Sequence, residues 1–171
     1  MATPTTLPAS FVAGNVLTAA QLNDLRGAFR ILQIASANKA NDFSTTSATY
    51  VDVTDLSVSI TPSATSSKVL VLATVQVSNT AGDGAVQLVR DSTAIALGTA
   101  GTTMNGYGQV SSSYQNSMFT CGIVYLDSPN TTSATTYKIQ ARVNGGTTFI
   151  NRRFNTDYGG YSTITVCEVS A

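Results

Sequence analysis

The strongest constraint on the fold is a two-residue alternation of apolar side chains that runs from residue 48 to the C-terminus. It is clearest in the segment TYKIQARV, where every second residue is apolar: Tyr137, Ile139, Ala141 and Val143. This period is typical of a strand with one buried face. The turn signal NGG follows, and then the strand-like segment TTFINR, so we expect these two strands to form a hairpin.

Other segments extend the same pattern. The apolar parity changes between YVDV and LSVSI, which predicts a bulge or turn at Thr54–Asp55. KVLVLATVQV carries apolar residues on both parities and is expected to be partly buried on both faces. VQLVRDSTAIAL reads as a hairpin with RDST at its turn, SMFTCGIVYL as a central strand and YSTITVCEV as the last strand. About eight strands without intervening helices predict an antiparallel β-sandwich or jelly roll.

The N-terminal segment has a different pattern and predicts one short helix. Residues 1–17 contain two prolines and read as an extended arm. Thr18 and Gln21 form a capping box, and Leu17 with Leu22 fits a hydrophobic staple. We expect the helix to begin at Thr18 and to end between Leu32 and Ala37.

One face of this predicted helix carries an apolar seam. Its members are spaced by three and four residues: Leu22, Leu25, Phe29 and Leu32. The seam could pack on the sandwich of its own chain, or it could pack against copies of itself or a larger partner. The expected organisation is therefore an arm and helix for anchoring and oligomerisation (1–37), a polar linker (38–47) and the β-domain (48–171).

Composition argues against several classes of function. The chain has nine Lys and Arg, nine Asp and Glu, and no histidine, so its formal net charge is zero. Nucleic acid is not an expected partner because phosphate binding needs a concentrated positive face. The apolar runs are too short to cross a bilayer, and the N-terminus lacks the pattern of a signal peptide. We therefore expect a protein that works where it is made, or that leaves the cell by a route that needs no signal, with no membrane insertion.

Catalytic chemistry is not indicated either. Without histidine there is no Ser-His-Asp or Cys-His arrangement, and no nucleotide-binding or nucleophile-elbow motif is present. The carboxylates lie mostly in turns, where Asp hydrogen-bonds its local backbone, and none has EF-hand spacing. We expect no enzyme activity, no cofactor and no metal. Cys121 and Cys167 lie in strand-like segments and are expected to be unpaired core thiols.

Two loops combine aromatic and polar residues as contact surfaces do. Residues 98–116 form a long Gly-rich connection with Tyr107 and Tyr114, and residues 151–161 read NRRFNTDYGGY. The second loop groups the remaining candidate contact residues: Arg152, Arg153, Phe154, Tyr158 and Tyr161. Such groups bind carbohydrate or protein. The favoured alternative is that they close one end of the sandwich or lie buried in a subunit interface.

Two parts of the sequence, the N-terminal segment and the β-domain, carry a resemblance to a known family. FVAGNVLTAAQLNDL followed by a polar linker resembles the N-terminal segment of small virion proteins of tailed bacteriophages, the tail-fibre, minor-tail and head-decoration proteins. SATYVDVTDLSVSITPSATSSKVLVLATVQV, together with LVRDSTAI, VYLDSPNTTSATTYKIQARV and STITVCEV, is similar to their β-domain. That domain in turn resembles the trimeric jelly rolls of the tumour-necrosis-factor and complement type.

The resemblance implies a homotrimer attached through its N-terminal arm to the major capsid or tail proteins of a virion. It implies a virion component that is made in the host cytoplasm and has no catalytic residues. It leaves open a decoration protein, a short fibre or a knob. The alternative is a receptor- or carbohydrate-binding module of the tail that contacts a host surface glycan through loops 98–116 and 151–161.

Overall fold

The protein is built almost wholly from β-strands. The computed structural model describes residues 31–98, 106, 108–111, 113, 117–153 and 159–170, together with residues 16 and 19. The strands are β1 (Ile31–Lys39), β2 (Phe43–Thr45), β3 (Val51–Ile60), β4 (Lys68–Asn79), β5 (Asp83–Arg90), β6 (Thr93–Ile95), β7 (Gly108–Val110), β8 (Phe119–Asp127), β9 (Thr135–Asn144), β10 (Thr148–Ile150) and β11 (Ser162–Val169).

The strands form two antiparallel sheets. Sheet A has six strands in the order β1-β11-β4-β10-β2, and β8 pairs with β4 as its sixth strand. Sheet B has five strands in the order β3-β9-β5-β6, and β7 also pairs with β5. In sheet A, β8 follows β4 over nearly its whole length, from Val69↔Asp127 to Val77↔Phe119.

The pairing is that of a jelly roll. Among the eight main strands, the first pairs with the last (β1–β11), the second with the seventh (β3–β9), the third with the sixth (β4–β8) and the fourth with the fifth (β5–β7). This nested pairing folds one long hairpin over itself into two facing sheets. The expected fold class, an antiparallel jelly-roll sandwich, is confirmed.

The core lies between the two sheets and follows the two-residue period. From sheet A, Val69, Val71 and Val75 point inwards and are fully buried. From sheet B, Tyr137 and Ile139 meet them with no exposed surface. The alternation read from TYKIQARV is therefore confirmed as a one-sided strand with its apolar parity in the core.

Two of the expected turns are also confirmed. The register of β3 with β9 shifts between Asp52 and Ser57, and Asp55 within that shift has a φ of 66°. The β5–β6 connection turns at Asp91, which has a φ of 54°. An Asp side chain tolerates this left-handed backbone because it can hydrogen-bond its local backbone.

The expected hairpin between TYKIQARV and TTFINR is wrong, because these two strands do not pair with each other. The turn forms, with Gly145 and Gly146 at φ values of 89° and 75°. However, β10 then pairs with β4 and β2 in sheet A and not with β9. The reason is that β3 and β5 already occupy both edges of β9. The turn therefore moves the chain from one sheet to the other.

The expected boundaries at the N-terminal side also need correction. Residues 31–39 are strand β1, so no helix extends to Leu32 or to Ala37. Pairing with the open edge of β11 gives this segment long-range backbone hydrogen bonds that outweigh its local helix preference. Residues 38–47 are not a plain linker, because they include the end of β1 and all of β2. The sandwich therefore begins at Ile31. Apart from Ala19, the predicted helix over 18–30 lies outside the described residues.

Candidate functional site

The outer face of sheet A carries a row of apolar side chains that spans four strands. The register places Ile34 of β1 beside Cys167 of β11, Cys167 beside Leu70 of β4, and Leu70 beside Leu126 of β8. Ile34 and Leu126, at the two ends of this row, are 63% and 55% exposed. Large apolar side chains exposed side by side, rather than singly, are typical of an interaction surface.

A second row adjoins the first and extends the patch. It runs from Ser36 through Thr165 and Leu72 to Val124. Leu72 is 38% exposed and Val124 is 67% exposed. We call the six residues Ile34, Leu70, Leu72, Val124, Leu126 and Cys167 the apolar face.

The three rows on and beside the apolar face carry no formal charge, and Lys68, two residues before Leu70 on the same side of β4, lies at the opposite border. The third row, on the side away from the start of β1, runs from Asn38 through Thr163 and Thr74 to Gly122. None of the twelve positions in the three rows is Asp, Glu, Lys or Arg. Equivalent residues meet near a symmetry axis, and like charges there would repel. A charge-free face suits association between identical chains.

The outer face of sheet B is different, because its polar groups already bond one another. Asp52 accepts hydrogen bonds from Lys138 at 2.8 Å and from Gln140 at 2.7 Å. Gln87 donates to Gln140 at 2.7 Å. The bond from Lys138, and then that from Gln140, lowers the pKa of Asp52 below its usual range. This face is a hydrogen-bonded polar surface, so the two sides of the sandwich differ in what they can bind.

The first residues of β1 are tied down beside the apolar face. Gln33 donates through its Nε2 to Glu168 Oε2 and to the carbonyl of Thr61, each at 2.6 Å. Glu168 is fully buried and also accepts from Ser63. These bonds hold the start of β1 at the end of sheet A where the row from Ile34 to Leu126 lies.

The predicted contact residues of the arm fall into two groups. Leu32 lies in β1 at a register irregularity between Ile31 and Gln33, and it is 44% exposed. It therefore belongs to the edge of sheet A and not to a helical seam. The other members, Leu17, Leu22, Leu25 and Phe29, lie outside the described residues.

The loop residues do not assemble a binding cluster among the described residues. Arg152 donates to Asp42 at 3.0 Å, and its guanidinium lies 4.2 Å from the centre of the Phe149 ring. Both contacts lie within the chain, one with the β1–β2 connection and one with β10. Tyr161 is 53% exposed, and Arg153 is half-buried. Four further candidates lie outside the described residues: Tyr107, Tyr114, Phe154 and Tyr158.

The long connection between β6 and β8 is not wholly irregular. It contains β7, whose Gly108–Val110 segment pairs with Gly84–Val86 of β5. The expected loop over 98–116 is therefore interrupted by a strand that belongs to sheet B.

The two cysteines are free and lie on opposite sides of sheet A. Cys121 faces the core beside Val75, and burial raises the pKa of its thiol. Cys167 lies on the outer face, covered to 5% exposure by its neighbours. The expectation of unpaired thiols is confirmed, but Cys167 belongs to the apolar face and not to the core.

The described residues offer little to other kinds of ligand. Within the described ranges, no three Asp, Glu or Cys side chains come together as a metal ion would require. No helix in the same ranges has the length and apolarity needed to cross a bilayer.

Sequence reasoning did not identify the apolar face, although a signal for it was present. KVLVLATVQV was expected to be partly buried on both faces, and Leu70 and Leu72 lie on the outer one of these two faces. SMFTCGIVYL shows the same double parity, with Val124 and Leu126. Two neighbouring strands with apolar residues on both faces indicate a sheet that is covered on both sides.

Comparison with known proteins gives a limited result. The sequence matches no protein-family model and no curated protein. Among solved structures, a chain of infectious bursal disease virus, Gx strain, is similar at 11% identity and a TM-score of 0.40, covering 80% of this chain and 40% of that one. A chain of the Gt strain is similar at 10% identity and a TM-score of 0.40, with coverages of 81% and 38%. The chain thus spans about two fifths of the length of either.

Proposed function

We propose that this protein is a structural component of a virus particle, a homotrimer that assembles through the apolar face of sheet A. The observation that carries the proposal is the difference between the two outer faces of the sandwich. The apolar face of sheet A has no charged residue, whereas the polar side chains on the outer face of sheet B hydrogen-bond one another. The resemblance of the sequence to small virion proteins of tailed bacteriophages gives the kind of particle and the number of subunits.

The apolar face gives association a driving force. Ile34, Val124 and Leu126 are each more than half exposed in the single chain. Burying the exposed part of such a side chain contributes roughly 1 kcal/mol. Three subunits arranged around an axis bury three copies of the face. These gains oppose the loss of translational and rotational freedom that association costs.

The N-terminal segment supplies the attachment to the particle in this proposal. Its seam of Leu22, Leu25 and Phe29 precedes Ile31 in the sequence, and β1 begins at the end of sheet A where the apolar face lies. In a trimer built on that face, three arms emerge at one end. The partners are the major capsid or tail proteins of the virion, and the subunit serves as a decoration protein or as a short fibre or knob.

A truncation tests the attachment, and the structure fixes where to cut. Removing residues 1–37 would delete most of β1 and expose the edge of β11, so the truncation must stop at residue 30. The 31–171 fragment is expected to remain a folded trimer and to be absent from purified particles. Leu25→Asp in the full chain is expected to give the same result. Particles that incorporate the truncated protein at the wild-type level would contradict attachment through the arm.

A further inference from the structure

Gly122 lies in the middle of β8 with no reason for a glycine inside its own subunit. A Cβ built on Gly122 meets no described heavy atom within 4 Å, and its backbone does not have a positive φ. Other glycines of the sandwich differ. A Cβ on Gly84 would lie 2.6 Å from the Thr148 hydroxyl, and one on Gly108 would collide with Cys121. The described part of the subunit therefore leaves room for a side chain at residue 122.

A glycine at this position lowers the stability of the strand, so we expect another interaction to favour it. In a strand interior it loses more conformational entropy on folding than other residues and packs no side chain. It also leaves a notch in the outer face, opposite Thr74 and one row away from Val124, which is 67% exposed. Glycine in a strand often marks a place where another backbone comes close.

We propose that the notch at Gly122 receives the neighbouring copy of this chain, and that Gly122 thereby determines how closely the subunits pack. This inference rests on the proposed trimer. A second copy is the fitting occupant because the three rows that end at Leu126, Val124 and Gly122 carry no formal charge. The notch is also continuous with the apolar face, and β8 lies at the border of sheet A, where a second copy would pack alongside.

Substitutions at this one position separate the effect on the interface from the effect on the subunit. Gly122→Ala and Gly122→Val add one and three carbon atoms to a site that is open in the monomer. Filling a packed interface destabilises it, so Gly122→Val is expected to raise the concentration at which the trimer half-dissociates about tenfold or more, with Gly122→Ala in between. Sedimentation over a dilution series of the full chain measures this, and subunit exchange between tagged and untagged trimers gives the dissociation rate.

Two controls accompany the series. Thr74→Val changes the cross-strand neighbour of Gly122 without changing its size, and the trimer is expected to remain at least as stable. In a chain made monomeric by Leu126→Glu, Gly122→Val is expected to leave the Tm unchanged or higher, because valine favours strands. A lower Tm in that background would mean that the fold of the subunit needs the glycine, and would overturn the inference.

The remaining outcomes distinguish the inference from the proposed function. A wild-type chain that is monomeric at all concentrations would contradict the trimer itself. A trimeric wild type together with a Gly122→Val variant that dissociates at the same concentration would leave the trimer standing and refute the role of the notch.

Discussion

Ser63 donates two hydrogen bonds to one oxygen of Glu168, from its backbone N–H at 2.7 Å and from its hydroxyl at 2.6 Å. This pair joins the connection between β3 and β4 to the last strand of the sandwich. Gln33 adds a third bond from β1. A buried carboxylate is thus held by neutral donors that are supplied from two other parts of the chain.

This arrangement predicts a specific loss of stability in acid. Burial by itself raises the pKa of Glu168, but the bonds from Ser63, Gln33 and Ser67 outweigh it and lower the pKa to about 2. Because the pKa of Glu168 is lower in the folded chain than in the unfolded chain, the ionised carboxylate stabilises the fold at pH values above about 4.5. This stability is lost as the pH falls from about 4.5 towards 2. The contribution at neutral pH is up to about 3 kcal/mol.

Glu168→Gln tests this account by chemical denaturation between pH 2 and 7. The variant is expected to be less stable at pH 7, and the difference from wild type is expected to shrink as the pH falls. Asp52→Asn is the matched control, since Asp52 is mostly exposed and its pair with Lys138 contributes little. If the free energy of unfolding of Glu168→Gln falls between pH 7 and pH 2 by as much as that of wild type, the account is contradicted.

A second buried cluster predicts the effect of removing a single hydroxyl. Tyr137 is fully buried and donates to Asp127 at 2.7 Å, while Arg90 bonds the same carboxylate at 2.9 and 3.0 Å. Burial, and then the bond to Asp127, raises the pKa of Tyr137. Tyr137→Phe is expected to destabilise the fold by about 1–2 kcal/mol in urea denaturation.

Tyr125→Phe is the control for this variant, because Tyr125 lies two residues before Asp127 in β8 and its hydroxyl is not part of the cluster. We expect it to change stability by a smaller amount. In alkaline titration followed by tyrosine absorbance, Tyr137→Phe is expected to remove a tyrosine that ionises only when the chain unfolds. Equal effects of the two Phe variants would show that the Asp127 bond adds nothing.

The contacts of Arg152 predict a structural role for it. It bonds Asp42 in the β1–β2 connection and stacks on Phe149 of β10. Arg152→Lys is expected to lower the Tm, because lysine keeps the charge but loses the planar stacking. Calorimetry checks this. A Tm equal to that of wild type would show that the contacts contribute nothing, and would leave Arg152 available to a ligand.

The placement of the cysteines predicts their redox behaviour. Cys121 points into the core and Cys167 points out of sheet A, so the two thiols cannot meet within one subunit. Mass spectrometry of unreduced, alkylated protein is expected to find two free thiols per chain. Reductant is expected to leave the Tm unchanged. A mass two units lower before reduction would contradict this placement.

The fold could be predicted from the sequence where local pattern and tertiary pairing agree. The alternation in TYKIQARV, the parity change at Asp55 and the turn at Asp91 are local features, and each is confirmed. The pairing of β10 could not be predicted, because it depends on β3 and β5 having already occupied both edges of β9. The strand at 31–39 was missed for a similar reason, since its partner lies at the other end of the chain.

The candidate site was harder to predict than the fold. An outer face depends on which strands lie side by side, and the row from Ile34 to Leu126 joins residues from four separate segments. Sequence reasoning found the apolar residues of β4 and β8 but did not bring them together. It also gave Arg152 a possible role in contact with a ligand, whereas the structure shows its partners to be Asp42 and Phe149.

The central claim is that identical chains meet through the apolar face, and sedimentation equilibrium tests it most directly. The wild-type chain is expected to have the mass of three 17.7-kDa subunits, about 53 kDa. Leu126→Glu, which places a charge in that face, is expected to give a folded monomer, and Ser59→Glu on the outer side of sheet B is expected to remain a trimer. A monomeric wild type, or a trimer that Leu126→Glu leaves intact, would contradict the account.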